Sequence, residues 1–109
     1  MRGALFLLAA VAALSFPQPA SAQSFQCRHA QSADEFTICR HERLMRLDER
    51  ATSLFLRLRE DLGRRGVREL EEDQNRFQRR RARCGPNPEC IEDAYRRRID
   101  ELRDYRRRY

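Results

Sequence analysis

The chain has 109 residues, 37% of them charged, with 23 lysine-plus-arginine residues against 17 acids and a formal charge of +6. Lysine is absent, so every one of those cations is an arginine. The length leaves room for one small domain, and the interleaving of acids with arginines excludes a uniformly basic tail.

The first residues predict a secretory signal. Met1-Arg2 is a short positive start, Gly3 to Phe16 is an apolar run, and Ala20-Ser21-Ala22 supplies the small-x-small pattern of a cleavage site. Cleavage is expected after Ala22, which leaves residues 23–109 as a single domain. The apolar run is too short to span a bilayer comfortably, so no stable membrane anchor is expected. Ser24-Phe25-Gln26 before Cys27 does not form a lipobox, which argues against a lipid anchor. Losing Arg2 lowers the formal charge from +6 to +5. The expected location is periplasmic or secreted. A core of this size is marginal, and covalent staples help it.

Gln23 to Gln31 forms a short lead. Ser32 followed by Glu35 predicts a capping box at a helix start, with Asp34 and Glu35 complementing the helix dipole. One helical stretch then runs to Leu62, with a candidate break at Cys39 to Glu42. Its stripe is Leu44, Leu47, Ala51, Leu54 and Leu58, in steps of three and four, widened by Phe55 and Leu62. Met45 and Leu56 fall off that stripe. Gly63-Arg64-Arg65-Gly66 reads as a C-cap and chain reversal. A second helix is expected from about Val67 to Arg83, with the stripe Val67, Leu70, Gln74, Phe77, Arg81 and Cys84. Gln74 and Arg81 sit there where a plain core would place leucine, so both need buried partners: a structural polar network, or a groove for a partner. Cys84-Gly85-Pro86-Asn87-Pro88-Glu89-Cys90 stops that helix and starts the next. The third runs from Glu89 to about Arg107 with the stripe Ile91, Tyr95, Ile99 and Leu102, beside Ala94 and Tyr105. Strand signals are missing throughout. The expected fold is all-α, a small disulfide-stapled helical hairpin or three-helix bundle.

Four cysteines in a short exported chain predict two disulfides, and they allow three connectivities. Local pairing, Cys27 with Cys39 and Cys84 with Cys90, is favoured by proximity; crossed pairings would tie the first helix to the second turn. Cys27-Arg28-His29 and Cys39-Arg40-His41 repeat a Cys-x-His pattern that raises zinc as a competing reading. That spacing matches no common zinc module, and export favours oxidation, so no metal and no cofactor are expected.

The arginine runs Arg79–Arg81, Arg96–Arg98 and Arg106–Arg108 suggest phosphate contacts, yet the acids placed before them read as helix-dipole and i,i+4 partners. Glu42 with Arg46, Glu72 with Arg76, Glu92 with Arg96 and Asp93 with Arg97 all have the favourable order. Nucleic acid is therefore not an expected partner, whereas an anionic envelope surface is a reasonable one. No nucleophile–base order stands out, and a bundle this small offers no deep cleft to tune a carboxylate pair, so the protein is not expected to be an enzyme.

Several positions taken together resemble the lysozyme inhibitor LprI-like family of exported bacterial proteins. They are Cys27; Glu35-x-x-Ile38-Cys39; Leu44-x-x-Leu47-Asp48; Gln74-x-x-Phe77-x-x-x-Arg81-x-x-Cys84; and Cys90-x-x-x-x-Tyr95-x-x-Arg98-Ile99-x-x-Leu102. They span nearly all of the chain beyond residue 22. The resemblance implies a disulfide-bearing helical domain and, as a function, inhibition of lysozyme by steric blocking. Gln74, Phe77, Arg81, Tyr95 and Arg98 are its family-like structural or binding positions. Animal lysozymes are strongly basic, so docking is expected to use a local acidic face, either Asp48, Glu49, Glu60 and Asp61 or Glu69 to Asp73.

Overall fold

The computed structural model describes residues 23–108, together with positions 3, 4, 10 and 12. Apart from those four positions, the expected signal at 1–22 lies outside the described residues, as does Tyr109. The described chain is all-α: a 3-10 turn at Cys27–His29, then α1 (Ala33–Arg40), α2 (Glu42–Asp61), α3 (Arg64–Arg83) and α4 (Pro88–Arg108). Among the described residues there is no strand, and no helix is long and apolar enough to cross a membrane.

The candidate break becomes a real one, so the bundle has four helices rather than three. His41 adopts extended backbone, with φ −122° and ψ 109°. Its Nδ1 lies 2.8 Å from the Thr37 carbonyl. An Nδ1–H there satisfies one of the carbonyls that the end of α1 leaves without a partner. Before α1, Glu35 closes the expected capping box: the Ser32 backbone N–H donates to its carboxylate at 3.2 Å, and the Ser32 hydroxyl lies within reach of the same group at 2.9 Å.

The Gly63–Gly66 link differs from the expectation. Gly63 has φ −69° and ψ 173° and sits at the N-cap of α3, which starts at Arg64. Gly66 lies inside that helix and is buried. A Cβ added there would meet the Leu62 Cβ at 3.2 Å, so close packing against Leu62 explains the glycine. The left-handed glycine is Gly85, at φ 57° in the second turn. After it, Asn87 caps α4: its Oδ1 accepts the backbone N–H of Glu89 at 3.1 Å and of Cys90 at 3.2 Å. Pro88 occupies the first helical position, where a missing N–H costs nothing.

Both disulfides join the local pairs, Cys27–Cys39 and Cys84–Cys90. The first ties the 3-10 turn to α1; the second clips the end of α3 to the start of α4. The stripes read from spacing make the core. Leu44, Ala51 and Leu58 of α2, Leu70 and Phe77 of α3, and Ile91, Tyr95, Ile99, Leu102 and Tyr105 of α4 are buried around Ile38 of α1. Val67 and Cys84, at the two ends of the α3 stripe, are only partly buried. Leu56, off its stripe, is 43% exposed; Met45 packs against the core.

Candidate functional site

Gln74, Phe77 and Arg81 step by three and four along α3, and Tyr95 and Arg98 stand three apart on α4, so each set projects from one side of its helix. The two sets meet. The Phe77 and Tyr95 rings pack edge to face with centroids 5.3 Å apart, a favoured aromatic geometry. On one side of this pair the Arg81 guanidinium lies 5.9 Å from the Phe77 centroid and 6.0 Å from that of Tyr95. On the other, the Arg98 guanidinium lies 6.0 Å from Phe77, and its Nε donates to Gln74 Oε1 at 3.0 Å. All five family-like positions thus form one continuous stack between α3 and α4.

The Arg81 end carries most of the charge. Arg81 is buried, and its Nε donates to Asp34 Oδ2 at 2.8 Å. Its Nη1 donates to the Tyr95 hydroxyl at 3.1 Å. That hydroxyl donates in turn to Asp48 Oδ1 at 2.9 Å. Asp48 also accepts from the Ser24 hydroxyl at 2.6 Å and, through Oδ2, from the Ser24 backbone N–H at 2.9 Å. The lead segment, α1, α2, α3 and α4 therefore each contribute a group to one network. One arginine stands between two buried carboxylates, and the Ser24 N–H and hydroxyl offset the second of them.

Spacing alone did not reveal Asp34, Asp48 and Ser24 as members of this network. Asp48, expected on an exposed acidic face, is 2% exposed. Asp34, expected to serve the helix dipole, is equally buried. A signal for both is in the helical period: Asp34 precedes Ile38 by four residues, and Asp48 lies four after Leu44 and three before Ala51, so each shares a face with core residues. Asp73, from the other expected acidic face, is also engaged, by Arg76 and the Tyr105 hydroxyl. Of the expected i,i+4 pairs, Glu42–Arg46 and Glu92–Arg96 form. Arg76 turns instead to Asp73 and Arg97 to Glu101.

Burial and close partners set the charge states of Asp34, Arg81 and Tyr95. Burial works to raise the Asp34 carboxyl, but hydrogen bonds from Ser32 and Arg81, with the Arg81 charge, hold it below its ordinary value of 3.8. Burial opposes the charge on Arg81, and Tyr95 and Asp34 more than restore it. Burial, with Asp48 alongside, drives the Tyr95 hydroxyl far above its ordinary value. At neutral pH neither Asp34 nor Tyr95 is poised to exchange a proton, and the network's chemistry is that of a clamp. At the other end of the stack burial lowers Arg98, which Glu101 partly restores through a 3.3 Å contact to Nη1.

A shallow groove of about 230 Å³ lies over the clamp, with Asp34 and Arg81 in its lining beside Phe25, Glu35 and Gln78. Phe36, next along α1, is 47% exposed. His29 and His41 are exposed, and Cys27 and Cys39, the cysteines of the Cys-x-His repeats, are bonded to each other. Among the described residues no group of three or more His, Cys, Asp or Glu side chains is placed to hold a metal ion. Compared with known proteins, the chain matches no protein-family model, no curated protein and no solved structure.

Proposed function

We propose that the protein is an exported binding protein that inhibits lysozyme by steric blocking, as its resemblance to the lysozyme inhibitor LprI-like family implies. The observation that carries this reading is that the polar groups around Arg81 are engaged from within. Arg81, Tyr95, Asp34 and Asp48 bond to one another and to Ser24 and Ser32. Their role is to hold a rigid shape, which leaves binding to the outer surface. Two disulfides suit a non-reducing compartment and a domain that must keep that shape outside the cytoplasm. With Asp48 and Asp73 engaged, the acidic contacts to a basic enzyme fall to exposed Glu60, Asp61 and Glu72.

A turbidity assay tests the reading: purified oxidised protein is added to lysozyme acting on a cell-wall suspension. Dose-dependent slowing of lysis is expected. No slowing at high micromolar protein sinks the inhibitor reading; if the protein is then retained on anionic envelope material in a salt-sensitive way, an envelope-associated module takes its place.

A further inference from the structure

The far end of α4 carries a feature that the lysozyme reading does not use. Between α2 and α4, Leu54, Leu58 and Leu102 line an open slot of about 230 Å³. The rest of its lining is Arg57, Arg103, Arg106 and Arg107, and no acid lines it. Arg103 and Arg107 stand 4.0 and 3.9 Å from Asp100 and Asp104, the outer limit of an ion pair, and those two acids are mostly exposed. Arg57 directs its Nε to the Ser53 carbonyl at 3.4 Å. Arg106 has no acid within ion-pair distance among the described residues.

The contrast with the opposite flank of α4 is direct. A larger groove of about 670 Å³ there includes Asp73, Glu101 and Asp104 in its lining. Arg76 pairs with Asp73, Arg80 and Arg97 pair with Glu101, and Arg107 stands beside Asp104, so three acids in that lining offset part of the charge of its five arginines. The leucine slot combines an apolar floor with a lining of four arginines and no acid, two of them reached only by acids at its edge. An apolar floor accommodates an alkyl chain, and guanidinium forks match phosphate oxygens in pairs. Four arginines in the lining, with acids only at its edge, suit an anionic phosphate head. Because the slot is concave, it takes a chain from one molecule rather than wedging into a bilayer.

We propose that this slot binds a single-chain alkyl phosphate, with the chain on the leucine floor and the phosphate held by Arg103, Arg106 and Arg107. The probe is decyl phosphate below its micelle concentration, added to methyl-labelled, oxidised protein and followed by NMR, with inorganic phosphate and decanol as controls. Decyl phosphate is expected to shift the methyl signals of Leu54, Leu58 and Leu102, and to bind at least tenfold more tightly than either control. Arg106 and Arg107 are exposed, so the double variant R106Q/R107Q is expected to keep the dispersed methyl spectrum of the folded protein while losing tenfold or more in affinity. Shifts that map elsewhere, equal binding of decanol or of inorganic phosphate, or a double variant that binds as tightly as the parent each overturn the proposal.

Discussion

Arg81 shows how a single side chain can set the character of a small core. Burying a guanidinium is costly unless its charge and donors are met, and Asp34 and Tyr95 meet them at 2.8 and 3.1 Å. Removing one member leaves the other stranded. Arg81→Met is expected to cost about 3–5 kcal/mol, the usual range for breaking a buried pair, while Asp34→Leu combined with Arg81→Met costs much less than the sum of the two single changes. Urea denaturation of the four proteins in the cycle checks this; additive losses would mean the pair is not coupled. The same pair predicts acid sensitivity. The folded Asp34 pKa lies below its ordinary 3.8, so between the two values the unfolded chain binds more protons and stability rises with pH. The contribution is complete above the ordinary carboxylate range and is lost as pH falls through the folded value. Unfolding midpoints measured from pH 7 downward should fall less steeply in Asp34→Asn than in the parent. Arg81 was legible in the sequence as a polar residue at core spacing. Its partners were not, because an acid in a first helical turn has a ready surface explanation, and Ser24 lies in a lead segment without periodicity.

At the scale of elements, the helices and their core faces follow from apolar spacing, and α4 follows it most fully, with Ile91, Tyr95, Ile99 and Leu102 all buried. Boundaries depended on local chemistry that periodicity does not carry. The His41 break rests on an imidazole reaching a carbonyl, and Gly66 is glycine because Leu62 packs against it rather than because the chain reverses there. The Cys84–Cys90 turn was legible as a helix stop and start, while the left-handed Gly85, the Asn87 cap and the start of α4 at Pro88 rather than Glu89 came from the structure. Its clip closes a short loop, with a sequence separation of 6. Chain-entropy reasoning gives it about 2 kcal/mol, and the Cys27–Cys39 clip, with a separation of 12, about 3 kcal/mol. Replacing each pair by serines should reproduce that order in denaturant midpoints. The Cys27–Cys39 variant should also expose the lead segment to proteolysis, since that clip holds the lead beside its Ser24 anchor on Asp48. A protease-resistant lead in that variant would show that the Ser24 contacts suffice alone.

Across the whole molecule, the resemblance gathered residues from nearly the full chain without saying what joined them. Five of them, from α3 and α4, meet in one stack, and Asp48 of α2 joins it through the Tyr95 hydroxyl, which gives a physical reason for part of that scatter. On the proposed reading, a scaffold of this kind separates fold from binding. Changes inside the stack should lower stability and leave a folded molecule's surface intact, whereas surface changes should do the reverse. Tyr95→Phe makes the sharpest case, because it deletes one hydroxyl from the network, at a cost of about 1–3 kcal/mol for the polar groups left behind, and keeps the ring against Phe77. The decisive measurement is the rate of lysozyme-driven lysis with parent and Tyr95→Phe proteins side by side, both confirmed folded at the assay temperature. The account predicts that both slow lysis, with half-inhibiting concentrations within about twofold, near the scatter expected for a change that leaves the contact surface alone. Undiminished lysis with the parent, or inhibition lost in the folded variant, would contradict it.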